Sequence, residues 1–380
     1  MKTLRDICEV YSGYALKEFN ELYDGLPVIK IGNIMTDGTL ALEKCQYTSE
    51  VVNEKYYSKK GDIYVALSGA TTGKIGILES DERYVINQRV GVVRRKDDEV
   101  PQNFVKYFLM RQTNRILQEA SGCAQPNISP KQIAQYEVPK LSKTEMNEIS
   151  TILDRLSNVL AQRKLELQKL DNLIKARFVE MFGDPNINNM NWNMSVISDI
   201  GRCVAGATPS TAKPEYWDNG TIPWLSSGEV NKGRIYETDT KITQQGYDNA
   251  STKMVPAKTV VLAMAGQGKT RGTAAITEIE LCTNQSICSI VNNERVNHEY
   301  LLAFLKMQYK ELRKASTSAE GRGGLNLKII GAYPIMIPPI ELQNQFATFV
   351  AQVDKSKVAI QKALDEANVL FDSLMQQFFG

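Results

Sequence analysis

Two stretches of this chain place an apolar residue at every seventh position, a spacing that keeps one seam of an α-helix continuously hydrophobic. In the first stretch the seam runs through Leu153, Leu160, Leu167, Ile174 and Met181, with Leu156 and Leu170 on a companion seam and charged residues between. The second stretch repeats the pattern with Phe346, Val353, Ile360, Ala367 and Leu374, and fills the other seam with Val350, Leu364, Phe371 and Phe378. Each covers about five heptads, and about 36 helical residues rise roughly 54 Å, too long for the interior of one small domain. Arg163, Arg177 and Lys357 interrupt the seams, so the two helices are expected to need each other as specific partners. A glycine followed by proline in Phe182-Gly-Asp-Pro-Asn186 stops the first helix, and Phe379-Gly380 repeats that stop.

The segments before the two helices have a different periodicity. Short alternating apolar runs at Val28 to Ile31, Ile63 to Leu67 and Val90 to Val93, and again at Val260 to Met264 and Ile287 to Ile290, read as strands. A helix is expected near Asn103 to Gln118, with a counterpart near Glu299 to Leu312. These runs belong to an internal repeat. Leu4-Arg-Asp-Ile-Cys-Glu-Val-Tyr-Ser-Gly13 has the shape of Ile197-Ser-Asp-Ile-Gly-Arg-Cys-Val-Ala-Gly206, and Gly25-Leu-Pro-Val-Ile29 that of Gly220-Thr-Ile-Pro-Trp-Leu225. Gly61-Asp-Ile-Tyr-Val-Ala-Leu-Ser-Gly69 matches Lys258-Thr-Val-Val-Leu-Ala-Met-Ala-Gly266, and Ile86-Asn-Gln88 matches Thr283-Asn-Gln285. Val138-Pro-Lys-Leu141 matches Ile337-Pro-Pro-Ile340. Asn87 and Asn284 lie 197 residues apart, and the last pair 199 apart, a drift too small for unrelated domains that merely share turn residues.

The order is therefore module, helix, module, helix. Residues 1–142 form a first module, 143–183 a central helix, 184–342 a second module with a linker at 184–195, and 343–380 a terminal helix. The expected fold class is α+β: two similar mixed modules joined by two long helices. The helices pair only if they run antiparallel, which puts one module at each end with an approximate internal two-fold.

Composition narrows the chemistry. Lys and Arg number 45 against 43 Asp and Glu, so a nucleic-acid surface must come from local clustering rather than net charge. The six cysteines (Cys8, Cys45, Cys123, Cys203, Cys282, Cys288) are scattered without a CxxC pair, and His298 is the one histidine. No metal site is expected from that set, which fits a reduced cytosolic compartment. The start MKTLRDICEVYSG has no apolar core of signal-peptide length and no run approaches a membrane span, so a cytoplasmic protein that avoids membranes is expected.

One local motif suggests nucleotide chemistry. Ala263-Met-Ala-Gly-Gln-Gly-Lys-Thr270 satisfies a relaxed phosphate-loop pattern after an apolar strand, and Lys269 and Thr270 would serve a nucleotide hydrolase. Such a loop must open a helix, yet Arg271-Gly-Thr-Ala-Ala-Ile-Thr277 is glycine-broken and rich in β-formers. The matching loop, Ser68-Gly-Ala-Thr-Thr-Gly-Lys-Ile-Gly76, keeps a Gly-Lys but breaks the pattern. As a pair the loops suit DNA better. Ser68, Thr71, Thr72 and Lys74 in one, and Lys269, Thr270 and Arg271 with Thr273 in the other, are usual donors to phosphate oxygens and base edges. The alternative for either loop is a solvated hairpin turn.

Asn87-Gln-Arg89 and Asn284-Gln285 carry amides able to bind adenine, but their presence in both copies favours a scaffold role. Modules that read different sequences should agree where they hold the frame and differ where they touch bases. By that logic Arg89 and the divergent segments Ser121-Gly-Cys-Ala-Gln-Pro-Asn127 and Ser316-Thr-Ser-Ala-Glu-Gly-Arg-Gly-Gly324 hold candidate base readers: Gln125, Asn127 and Arg322, the last in a loop that equally suits a flexible surface turn. No catalytic set is found: the lone His298 leaves no triad, Asp97 and Asp98 sit in a polar turn, and no Asn-Pro-Pro-Tyr tetrapeptide occurs.

Several of these segments together resemble the specificity subunits of type I restriction–modification systems. They are Ile197-Ser-Asp-Ile-Gly with Gly206-Ala-Thr-Pro-Ser210, Tyr216-Trp217 before Ile222-Pro-Trp224, Asn284-Gln285, Pro338-Pro-Ile-Glu-Leu-Gln-Asn-Gln345 and Met181-Phe-Gly-Asp-Pro185. The first copy departs by lacking Thr-Pro after Gly13 and by having Leu141-Ser-Lys-Thr-Glu-Met146 at the helix start. The resemblance implies two target-recognition domains that each read one part of a split, asymmetric site in double-stranded DNA. It implies that the helices act as a ruler and as the docking surface for two adenine-N6 methyltransferase subunits, with restriction subunits outside. S-adenosylmethionine, Mg and ATP would then belong to those partners, and this chain would hold no cofactor and catalyse nothing. A scaffold whose heptads bind only protein is the remaining alternative.

Overall fold

The structure, a computed structural model, describes residues 2–21, 24–121, 126–266, 268–316 and 324–380. The chain divides into two compact units, residues 1–164 with 362–380 and residues 165–361. The division falls inside both long helices instead of at their ends.

In the first unit α1 (Leu4–Ile7) leads into β1 (Cys8–Ser12), followed by β2 (Leu26–Ile29), β3 (Gln46–Thr48), β4 (Ile63–Ala66), β5 (Ile75–Ile77), β6 (Val85–Ile86) and β7 (Val90–Arg95). Then come α2 (Gln102–Arg111), α3 (Thr113–Ala120), α4 (Pro130–Ile133) and the long α5 (Lys143–Phe182). An antiparallel sheet in the order β1-β7-β4-β5 packs against a small sheet, β3-β2-β6, in which β2 and β6 run parallel. Ile63, Val65 and Val93 face the helices, while Tyr64, Ala66, Val90 and Val92 turn toward Ile29 and Ile86. Both faces of β4 and most of β7 are thus buried, which explains why they are continuous apolar runs instead of alternating ones. The run expected at Val28 to Ile31 ends earlier, since Ile31 opens a 3-10 turn.

The second unit repeats this plan. It holds β8 (Asn193–Val196), α6 (Ile197–Ile200), β9 (Gly201–Ala205), β10 (Ile222–Leu225), β11 (Arg234–Ile235), β12 (Thr240–Ile242) and α7 (Gln244–Asp248). After these come β13 (Met254–Val255), β14 (Val260–Ala263), β15 (Ala274–Thr277), β16 (Leu281–Thr283) and β17 (Ile287–Asn292). The helices α8 (His298–Met307), α9 (Tyr309–Ala315) and α10 (Leu327–Gly331), strand β18 (Pro334–Ile337) and α11 (Ile340–Phe379) complete it. The main sheet β11-β15-β14-β17-β9 has the order of its counterpart with β11 added at one edge. Registers agree as well: Val28 pairs with Val85 where Trp224 pairs with Cys282, and Pro27 opposes Tyr47 where Pro223 opposes Lys241. The helices expected near Asn103 to Gln118 and Glu299 to Leu312 are each broken in two, at Gln112 and Gln308. Gln308 is buried, donates to Asn186 Oδ1 (3.1 Å) and accepts from the Tyr333 hydroxyl (2.7 Å), so its side chain anchors that break.

The heptad residues occupy the packed faces of α5 and α11. Leu153, Leu160, Val353 and Leu364 are buried, and Leu167, Ile174, Ile360 and Phe371 are half-buried. Within the second unit the helix segments run antiparallel: Asp171 meets Lys357 (2.7 Å), while seven residues further along α5, Phe178 meets Phe346 earlier in α11 (ring centroids 5.7 Å). Two of the charges that break the seams have partners there, Lys357 on Asp171 and the Arg177 guanidinium above the Phe349 ring at 5.7 Å. Further buried contacts lie off the heptads. Phe178 and Phe182 are fully buried with Tyr300 stacked on Phe178 at 5.4 Å, and Phe379 packs on Phe104 at 5.3 Å and Phe108 at 6.2 Å. The first helix stops as expected, with Gly183 at φ 79° and its amide donating to Val179 O. The second begins at Ile340, three residues before the expected position.

Candidate nucleic-acid interface

The candidate residues of the first unit lie far apart in sequence, at 68–74, 89 and 127, and one backbone position gathers them. Leu67, just past the end of β4, donates its amide to Arg89 O (3.0 Å) and accepts from Ile128 N (2.9 Å). Ser68 pairs with Asn127 as an isolated antiparallel bridge, and Gly69 N donates to Pro126 O. The hairpin tip, the turn before β7 and the loop after α3 therefore converge at the C-terminal end of β4.

The second unit rebuilds that node. Met264 donates its amide to Ser286 O (2.8 Å) and accepts from Leu325 N (3.1 Å). The base of each hairpin is identical too: Ala66 N to Lys74 O, Gly73 N to Ala66 O and Lys74 N to Thr71 O recur as Ala263 N to Thr273 O, Gly272 N to Ala263 O and Thr273 N to Thr270 O. Gly73 and Gly272 share a left-handed conformation, φ 83° and 84°. Lys74 thus corresponds to Thr273, and Thr71 to Thr270. The Gly-Lys pairs that look alike in sequence are not equivalent, because Gly268-Lys269 belongs to a two-residue extension at the second tip. With the frame shared, the side chains differ: Ser68, Lys74, Arg89 and Asn127 stand where the second unit has Ala265, Thr273, Ser286 and Gly324.

In the first unit the side chains split into two groups. Thr72 is buried and donates to Gly69 O (2.7 Å), so its hydroxyl shapes the loop. Ser68 Oγ and Thr71 Oγ1 are buried and have no hydrogen-bond partner among the described residues. Arg89 and Asn127 are exposed beside them, and Lys74 is half-buried. Gln125 and Arg322 lie outside the described residues.

The second hairpin is clamped from below. The Tyr309 hydroxyl donates to Lys269 O (2.9 Å), Arg313 Nη1 donates to Gly268 O (2.9 Å) and Arg271 O (3.1 Å), and Asn231 Nδ2 reaches Thr270 Oγ1 (3.3 Å). Lys269 is exposed at the tip and Arg271 is half-buried. Thr113, the counterpart of Tyr309, supports the first hairpin by donating to Gly73 O (3.3 Å). Sequence reasoning missed these supports, because nothing in the helix pattern marks which exposed residue meets a loop. The phosphate-loop reading is overturned here: the loop joins two antiparallel strands, β14 and β15, and opens no helix, as a phosphate loop must.

The shared residues hold the frame. Asn87 Oδ1 accepts from Arg89 N (3.1 Å) and Asn284 Oδ1 from Ser286 N (3.0 Å), closing the same turn in both units. Gly13 and Gly206 are required by close approach, since a Cβ would meet Ile86 O at 2.3 Å and Thr283 O at 1.7 Å. Trp217 and Trp224, edge-on at 5.2 Å, donate their indole N–H groups to Ser210 O and Ala207 O and so fix the Gly206 to Ser210 segment. Gln343 is buried, donates to Pro338 O (2.8 Å) and accepts from Asn297 N (2.9 Å), pinning α11 to α8. The first unit instead starts α5 with a capping box, Ser142 with Glu145 (2.7 Å). Among the described residues no cluster of His, Cys, Asp and Glu could hold a metal, and no helix is long and apolar enough to cross a membrane.

Known proteins share both halves of this arrangement. The family described as "Type I restriction modification DNA specificity domain" matches residues 1–170 and again 189–367. The specificity subunit of the type I restriction enzyme EcoR124I/EcoR124II from Escherichia coli is 22% identical over 232 residues, 60% of this chain and 56% of that one. The MjaIX specificity subunit from Methanocaldococcus jannaschii is 30% identical over 192 residues, 48% of this chain and 43% of the relative. The chain thus spans about half the length of these curated relatives. In fold it is similar to the S subunit of a type I system from M. genitalium, with TM-score 0.60 and 16% identity over 100% of this chain and 95% of the other. A chain from a study of complex assembly in the type I R-M system gives TM-score 0.53 and 14% identity, covering 100% and 96%.

Proposed function

The chain belongs to the type I restriction–modification DNA specificity family, and from that membership we propose that it is a specificity subunit whose two units each read one part of a bipartite DNA target. The observation that carries this reading is the duplicated frame with divergent side chains at one place. Leu67 and Met264 are held by the same two backbone bonds, while the residues around them change from Ser68, Arg89 and Asn127 to Ala265, Ser286 and Gly324. A shared frame fixes how each unit meets the duplex, and different side chains on it read different bases. In the first unit Arg89 and Lys74 serve phosphates or guanine, and Asn127 supplies a short hydrogen-bonding group, while the buried Ser68 and Thr71 hydroxyls reach DNA only if the hairpin tip shifts. In the second unit Lys269, Thr270 and Arg271 take that place.

The chain contributes no catalytic group in this reading. Adenine-N6 methylation, with S-adenosylmethionine, and ATP- and Mg-dependent restriction belong to partner subunits, and the protein is read as cytoplasmic. Two methyltransferase subunits dock on the long helices, where Val159, Leu173, Val358 and Val369 leave apolar surface exposed. Deleting the gene is expected to remove N6-methyladenine from one bipartite motif of the host genome, and an unchanged methylome contradicts the reading. A helical scaffold that binds only protein is separated by the assembled methyltransferase: a DNA complex that weakens with salt excludes it.

A further inference from the structure

The second unit contains a cavity of about 550 Å³ between α8, β11 and the facing segments of α5 and α11, away from the hairpin tips. One side is apolar, with Ile174, Leu302, Met307 and Val358 among the lining residues. The other carries charge of both signs. Its three carboxylates are all engaged: Glu299 by Arg234 (2.7 Å), Asp354 by Arg234 (2.6 Å), and Asp171 by Lys357 (2.7 Å). Lys232 is likewise satisfied, by Glu229 (3.0 Å) and Asp239 (2.7 Å).

Two ammonium groups on the cavity are left over. Among the described residues neither Lys175 nor Lys306 has a carboxylate within ion-pair distance, and Tyr236 lines the same cavity. We propose that this cavity is a binding site for a small amphipathic anion, an apolar ring or chain bearing a phosphate, sulfonate or carboxylate that Lys175, Lys306 and Tyr236 hold. The volume falls in the range of small-molecule sites, and an apolar wall beside a few convergent donors is how such sites orient a ligand. An anion there would relieve the mutual repulsion of Lys306 and Lys357. The concave surroundings, and next the charge of Lys357, already lower the Lys306 pKa. A bound anion reverses that, because it stabilises the charged ammonium.

The test is a fluorescence titration of the full chain with 1-anilinonaphthalene-8-sulfonate. Saturable one-to-one binding is expected, weakened about tenfold by Lys306→Ala and again by Lys175→Ala, each removing one charge-assisted bond. Lys355→Ala, on α11 but outside the cavity, should bind as the parent does. A thermal melt of each variant confirms that it is folded. Competition identifies the natural head group: displacement of the dye by adenosine 5′-monophosphate marks a phosphate, and displacement by decanoate a carboxylate. Dye affinity that ignores both lysine substitutions, or a dye that neither competitor displaces, overturns the proposal.

Discussion

Leu67 and Met264 hold equivalent nodes of two frames: each residue, one position past a buried central strand, donates its amide to the turn before the antiparallel neighbour of that strand and accepts from the loop that returns after the helices. Side chains next to such a node can change without disturbing it, because the bonds that hold it are between backbone atoms.

Arg89→Ser, which gives the first unit the residue found at the same place in the second, should therefore leave stability within about 0.5 kcal/mol of the parent, as for an exposed side chain. DNA affinity of the assembled methyltransferase should fall. If Arg89 contacts a phosphate, the slope of log K against log salt should drop by about 1 for all sequences; if it contacts guanine, discrimination at one base pair should relax. Filter binding at several salt concentrations distinguishes the two. Unchanged affinity for every sequence removes Arg89 from the interface.

The frame itself should be intolerant. Gly206→Ala puts a Cβ at 1.7 Å from Thr283 O, and Gly13→Ala puts one at 2.3 Å from Ile86 O, so strands must separate in either case. Gly228→Ala, with nothing within 4 Å, is the control. Soluble yield and chemical denaturation should show large losses for the first two and little for the third.

The aromatic contact between the two helices predicts a different loss. Phe178 is fully buried against Phe182, Tyr300 and Phe346. Phe178→Ala should cost about 3–5 kcal/mol, the usual range for emptying such a site. Val358→Ala, on an exposed position of α11, should cost little, and urea denaturation of the full chain measures both.

Acid should weaken the second unit through Glu278. Burial raises its pKa, but bonds from Lys258 and Arg234 outweigh that and leave it below the ordinary carboxylate value. A depressed folded pKa contributes stability that is present above the unfolded pKa and is lost as pH falls through the folded one. Glu278→Gln should therefore flatten the dependence of stability on pH below the usual carboxylate range, while the parent loses stability there. Thermal melts across that range with parallel slopes for both proteins would contradict the assignment.

Much of this frame was legible because repetition exposes it. Heptad spacing revealed the two long helices, and the matched glycines marked the close approaches that both units require. What stayed hidden depends on contacts between segments distant in sequence. Phe178, Phe182 and Phe379 lie off the seven-residue seams and are buried by α8 and α2, which no periodicity announces. The two Gly-Lys dipeptides looked equivalent by local similarity, yet hydrogen-bond register aligns Lys74 with Thr273. Ser68, Arg89 and Asn127 were candidates for separate reasons, and only Leu67 shows that they share one place.

The most direct test of the central claim is to replace residues 190–342 with the corresponding module of a related subunit and sequence the methylated genome. One half of the bipartite N6-methyladenine motif should change while the other half keeps its bases. Change in both halves, or in neither, would contradict the assignment of one DNA half-site to each unit.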